Sequence, residues 1–236
     1  MDQKMKLALK NAFYAPTPTQ KAAFLKKYRR RELSCRDFLL TQIGYIRWWI
    51  WAASVLLFGC VLRLASEPVN KTVWVAAALI PFLALLIVAE NGKSRFYGME
   101  ELEFSCRMPL RAAVLARMTI LGLFHLLLLS VLVPVMAAWG AVGLFRAGLY
   151  ILTPYLLTAA LGMELTRRIR GRDGLLACCA AATAISALGL VATNIKPALY
   201  QPENMIWWGA ALAAVFLAAV VEFTINVKNM GELQWT

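Results

Sequence analysis

Charge is scarce in this 236-residue sequence: Asp, Glu, Lys and Arg together make up 16% of it, against 61% hydrophobic residues. An ordinary soluble domain carries about 25% charged residues, so the balance excludes that class and points to lipid as the solvent for much of the chain. Acidic residues number thirteen against twenty-five Lys and Arg, and there is one histidine, His125. A lone histidine cannot build a metal centre, so no metal is expected. The five cysteines, Cys35, Cys60, Cys106, Cys178 and Cys179, contain no C-x-x-C pair. Neither a zinc site nor a disulfide framework follows, and the thiols are read as reduced and buried. Met1 to Lys10 lack an apolar run ending in small residues, so no cleaved signal peptide is expected and the first span should direct insertion itself. Neither a repeat of fixed period nor a low-complexity linker divides the chain.

What is present is a series of apolar runs near the roughly 20 residues that a helix needs to cross the hydrocarbon core. Six reach or approach that length, at about 43–62, 73–89, 113–139, 141–163, 175–193 and 206–225. The expected fold is all-α: a six-helix transmembrane domain over 43–225, a cytoplasmic basic segment over 1–42 and a cytoplasmic tail over 226–236. Orientation follows from the cations. With both termini inside, nineteen of the twenty-five Lys and Arg fall on the cytoplasmic side, while the outer side carries only Arg63, Lys71, Arg146 and Lys196. That asymmetry predicts an N-in, C-in topology. Trp48, Trp49, Trp51, Trp74, Trp139, Trp207 and Trp208 stand near the expected span ends, at headgroup depth. The net charge of +12 is therefore read as a topology signal and as contacts to anionic lipid headgroups, and no nucleic-acid partner is expected.

Two cytoplasmic segments stand out. After Pro16-Thr17-Pro18, Thr19 offers a helix cap, and Phe24, Leu25 and Tyr28 cluster amid Lys21, Lys26, Lys27, Arg29, Arg30 and Arg31. This reads as a basic amphipathic helix over 19–33 on the inner membrane surface, with a solvated basic tail as the alternative. Ser34 and Asp37 then resemble a capping box that starts the next helix. Between spans two and three, Gly98 precedes Met99, Glu100, Glu101, Leu102, Glu103 and Phe104, and Met99, Leu102 and Cys106 recur at helical spacing. A short acidic amphipathic helix over 98–106 is one reading; a solvated extension of the third span is the other. An amphipathic helix there can dock into a groove on a cytoplasmic partner.

This arrangement resembles the permease subunits of ABC-2 type exporters. The resemblance rests on the basic helix leading into span one, on Glu100-Glu101-Leu102-Glu103 between spans two and three, and on Met108-Pro109-Leu110 through Ala116-Arg117-Met118 opening span three. It covers the whole six-span layout. It implies that 98–106 is the coupling helix to a separate cytoplasmic ATPase and that 19–33 is the interfacial helix. It also implies that a second permease, identical or different, completes the transport path. The implied location is a bacterial plasma membrane, and the apolar lining suggests a hydrophobic or amphipathic cargo such as a peptide or lipid. ATP and Mg would be bound by the partner, with no cofactor held here: Gly92-Lys93-Ser94 would need a glycine at 87 to end a phosphate-binding loop, and Ile87 stands there.

Ionisable groups inside spans are costly and so become candidates. Arg47, Arg117 and Glu222 fall toward the expected cytoplasmic ends, where snorkelling or mutual pairing accounts for them. His125 falls near the middle of span three, where a hydrogen bond to a neighbouring helix is expected rather than a proton relay. Catalysis is not expected: Glu100 and Glu101 lie in a loop, and Ser130 has the wrong helical offset to meet His125. A membrane anchor or regulatory protein that binds a cytoplasmic partner without transport is the rival reading, because a docking helix serves either role.

Overall fold

The computed structural model describes residues 3–12, 35–65, 72–93, 110–139, 143–169, 171–195 and 202–232. The expected interfacial helix (19–33) and coupling helix (98–106) lie outside them. Among the described residues every regular element is helical: α1 (Gln3–Ala12), α2 (Cys35–Tyr45), α3 (Trp48–Ala65), α4 (Thr72–Asn91), α5 (Leu110–Trp139), α6 (Leu144–Arg168), α7 (Arg172–Ile195), a 3-10 turn (Pro202–Asn204) and α8 (Met205–Glu232). Two compact units divide the chain, residues 1–38 and residues 39–236. In the first, α1 exposes Met5 and Leu7.

Five helices, α4 to α8, are long and apolar enough to cross a membrane, and α2 with α3 makes a sixth if the bent pair counts as one span. That is consistent with a multi-pass membrane protein. The pair is bent by 76°. The helix stops at Ile46, whose amide reaches both Gln42 O and Ile43 O, and resumes at Trp48. Arg47 therefore occupies the break rather than the interior of a helix, although the apolar run continues across Tyr45 and Ile46.

The second unit is organised around α6, which packs against α4, α5, α7 and α8. Lipid tails are as apolar as leucine, so helix association in a membrane depends on close packing of small residues more than on burial of apolar area. α6 supplies such a stripe, with Thr158, Gly162 and Thr166 buried at four-residue spacing. Gly174, Cys178 and Ala182 form another on α7. At Gly162 the approach is so close that a Cβ would stand 2.7 Å from Val88 Cγ2 and 3.0 Å from Val88 Cγ1 on α4. On the opposite side, the Cys178 thiol donates to Gly162 O at 3.6 Å. One residue without a side chain thus lets three helices meet.

The main apolar core joins Val61, Ala76, Ile80, Leu83, Leu129, Leu132, Met136 and Ile151. A smaller cluster holds Ile46, Ile87 and Leu121. Outward faces are equally apolar: Leu123 and Leu126 on α5, Leu188 and Ile195 on α7, and Ile206, Trp207 and Leu217 on α8 are all exposed. A soluble surface does not look like this, whereas a lipid-facing one does. Cys60 lies on such an exposed face instead of being buried; Cys178 is buried and Cys179 half-buried, and all three are free thiols. The turn from α6 to α7 is tight, and Gly171 takes a left-handed φ of +74° there that a side chain would oppose.

Candidate functional site

Polar side chains are few inside the bundle, and they gather in three places. The first is at mid-helix. His125 on α5 and Ser54 on α3 are both fully buried, and Ser54 Oγ lies 3.0 Å from His125 Nε2. Tyr155 on α6 brings its hydroxyl to 3.4 Å from Nδ1 of the same ring. A neutral imidazole donates from one nitrogen and accepts at the other, and either hydroxyl can fill the complementary role. Both tautomers are therefore satisfied, and three spans are tied at one point. Trp51 packs edge-on against Phe124 one turn away, with ring centroids 4.7 Å apart. A serine beside a histidine is also the start of a nucleophile and base pair. Here both groups are fully buried in the helix packing, where the contacts form a clasp between helices.

The second place is the end of the bundle where α4 and α6 finish and α5 begins. Arg117 is buried; its Nε donates to Gln42 Oε1 at 3.3 Å, and its guanidinium lies 5.8 Å from the centre of the Tyr45 ring. The first helical segment is thereby fastened to α5 just before the bend. Glu222 on α8 accepts two hydrogen bonds from Arg167 Nη2 on α6, at 3.1 and 3.3 Å. Snorkelling or mutual pairing is expected for Arg47, Arg117 and Glu222, and Glu222 pairs with Arg167 instead of with Arg47 or Arg117. Glu90 is buried near the end of α4, with Lys93 Nζ at 3.5 Å. Among these ion pairs a cavity of about 250 Å³ opens, lined by Ile87, Val88, Asn91, Met118, Gly122 and Phe223 with their neighbours.

The third place is toward the opposite end of the bundle. Trp74, Tyr150 and Trp208, from α4, α6 and α8, form an aromatic chain with successive centroids 5.1 Å apart. They line a cleft of about 290 Å³ together with Pro154, Leu157, Leu188 and Gly189. Pro154 lies inside α6, and the Thr158 hydroxyl donates back to Pro154 O at 2.8 Å.

No group of three or more His, Cys, Asp or Glu gathers among the described residues. Of the residues singled out from the sequence, His125, Arg117 and Glu222 enter polar contacts, and Arg47 marks the bend. Phe24, Leu25, Tyr28, Arg29, Arg30, Arg31 and the segment from Gly98 to Phe104 fall outside the described residues. Sequence reasoning missed Ser54, Gln42, Arg167 and Asn91. Ser54 and Gln42 stand more than seventy positions from the residues they bond, so no local spacing could have joined them. Asn91 could have been found, as a polar residue closing an apolar run. Comparison with known proteins finds no matching family model, no matching characterised protein and no matching solved structure.

Proposed function

We propose that this chain is the membrane-spanning permease subunit of an ATP-driven exporter of the ABC-2 type. In this reading it forms the transport path with a second permease and is driven by a separate cytoplasmic ATPase that binds ATP and Mg. The observation that carries the reading is the fastened bend. A helix that meets the first long apolar helix at 76° suits a segment lying on the membrane surface before the chain turns inward. Arg117 ties that segment to α5 through Gln42 and Tyr45. On the topology read from the cations, the loop carrying 98–106 leads directly into α5. A push delivered to that loop by an ATPase would then reach both α5 and the surface segment together. The His125 clasp would carry it on to α3 and α6, so that the spans tilt as a group.

The location that fits is a bacterial plasma membrane, with both termini in the cytoplasm and basic residues against anionic headgroups. The cargo that fits the apolar cavities is hydrophobic or amphipathic. The test is purification of the tagged protein from its native host in mild detergent, with the co-purifying proteins identified by mass spectrometry. Wild type is expected to retain an ATPase that Leu102→Arg loses. Recovery of a signalling protein in its place, with no ATPase under conditions that hold complexes together, would replace this reading with the non-transporting anchor.

A further inference from the structure

Arg117 carries a charge into the bundle that nothing among the described residues balances. The residue is only 7% exposed, and a buried charge is costly unless it is paired. Its contacts are both with neutral groups: Nε donates to Gln42 Oε1, and the guanidinium stands over the Tyr45 ring. Carboxylates elsewhere in the bundle are already committed, Glu90 to Lys93, Glu164 to Arg168 and Glu222 to Arg167. The two Nη nitrogens of Arg117 have no acceptor among the described residues and, unlike Arg167 Nε, are not sealed from the surroundings.

The groups around Arg117 add donors and positive charge rather than an acceptor. Gln42 has given its amide oxygen to Arg117, so its side chain is left with the Nε2 donor. Arg47 follows Tyr45 by two residues and occupies the bend, exposed and without an ion pair among the described residues. A ligand that completes this set must be anionic and must accept several hydrogen bonds. A phosphate does both, and the planar guanidinium fork matches its oxygens.

Depth decides which phosphate. Trp139 closes α5, and Arg117 stands twenty-two residues before it, about 33 Å along the helix axis. That is close to the roughly 30 Å of the hydrocarbon core. With Trp139 at one interface, Arg117 comes to the other at headgroup depth. Tyr45, Trp48 and Trp49 are each 64% exposed at the bend, where an interface favours aromatic side chains. Val55 and Leu56 lie two turns further along α3, on the same faces as Trp48 and Trp49, and are exposed as well. A headgroup at the bend therefore has an apolar track beside it for its acyl chains.

We infer that the bend between α2 and α3 is a binding site for an anionic phospholipid, its phosphate held by Arg117 and Arg47 and its acyl chains lying along α3. The two guanidinium groups repel the ammonium of a zwitterionic headgroup, so phosphatidylglycerol is preferred to phosphatidylcholine. The same guanidinium that fastens α2 to α5 meets the phosphate, so the lipid completes that fastening. This inference deepens the headgroup contacts proposed for the basic residues and rests on the chain lying in a membrane. It does not rest on the ATPase.

The test uses the full chain in phosphatidylcholine nanodiscs that contain a trace of phosphatidylglycerol with a diazirine in one acyl chain. After illumination, the adduct should fall on the peptide that holds Val55 and Leu56. Added unlabelled phosphatidylglycerol should suppress it at mole fractions about tenfold lower than further phosphatidylcholine, the factor expected for one charge-assisted hydrogen bond. Arg117→Gln and Arg47→Gln should each bring the two lipids close to equal competition; Arg47 is exposed, so its variant keeps the test open if Arg117→Gln fails to fold. Inorganic phosphate at millimolar concentration should leave the adduct unchanged, because the acyl chains hold the lipid at the site. Equal competition by the two lipids in the wild type would overturn the proposal, as would an unaltered preference in Arg47→Gln. Suppression by inorganic phosphate, which would assign the site to a soluble anion, or labelling spread over the exposed faces of α7 and α8 would overturn it too. An ATPase that co-purifies while the lipid preference is missing counts against this site alone; a lipid preference without an ATPase counts against the exporter reading alone.

Discussion

Replacing Gly162 by alanine tests whether close packing of small residues holds the bundle together. The new methyl carbon would sit 2.7 Å from Val88 Cγ2 and 3.0 Å from Cγ1, whereas carbon atoms settle at about 3.5–4.0 Å. Valine in a helix keeps essentially one χ1 rotamer, so the side chain cannot turn aside and α4 must move away from α6. Overpacking of this kind costs about 1–3 kcal/mol. Alanine is intrinsically favoured over glycine inside a helix by about 0.5–1 kcal/mol, which offsets part of the clash, so the expected net loss for Gly162→Ala is about 1–2 kcal/mol. Val88→Ala removes both offending methyl groups and, alone, costs about 1–2 kcal/mol for the space it leaves. In the double variant the alanine methyl occupies part of that space. The two changes together should be no worse than Val88→Ala alone, giving a coupling of about 1–3 kcal/mol in favour of the pair. Unfolding free energies measured by steric trapping in bicelles supply all four corners of the cycle. Additivity within about 0.5 kcal/mol, or a Gly162→Ala variant as stable as the wild type, would refute the packing argument.

The remaining expectations concern the polar contacts and the topology. A cycle of Ser54→Ala and His125→Leu, read by the same unfolding measurement, should give a coupling near 0.6 kcal/mol and not above about 1.7, the range for hydrogen bonds between helices in membranes. Glu222→Gln should destabilise by about 1–2 kcal/mol, since it weakens two charge-assisted hydrogen bonds in a partly buried setting. The exchanged pair Arg167→Glu with Glu222→Arg should recover at least half of the stability lost by either reversal alone, again by unfolding in bicelles. In a variant free of native cysteines, Lys71→Cys should react with a membrane-impermeant maleimide on intact cells, and Lys228→Cys only after permeabilisation; the reverse pattern would invert the proposed topology.

Much of the architecture could be read from the residues because long apolar runs have few physical outcomes. Once a run such as 113–139 is too long and too apolar for a soluble core, a helix that satisfies its own backbone is the structure lipid permits. Local interruptions were less legible. Tyr45, Ile46 and Arg47 fall within one apolar stretch, and hydropathy does not distinguish a bend from a continuous span; the break lies in the backbone hydrogen bonds at Ile46. The pairing of Glu222 with Arg167, rather than with another intramembrane cation, depends on α6 and α8 lying side by side, a consequence of helix packing that no single segment encodes. Ser54 looks like any small residue at a span interface until His125 is placed opposite it. Asn91 differs in kind: a polar amide at the end of an apolar run is visible in the sequence, but that it lacks a partner becomes visible only when its neighbours are in place.

A photo-crosslinking amino acid placed at Leu102 in the native host tests the proposed coupling of this chain to an ATPase. The predicted result is one dominant adduct, identified by mass spectrometry as a nucleotide-binding ATPase, that diminishes when ATP is depleted and the partner changes conformation. An adduct with lipid alone, or with a cytoplasmic protein that has no nucleotide-binding site, would contradict it.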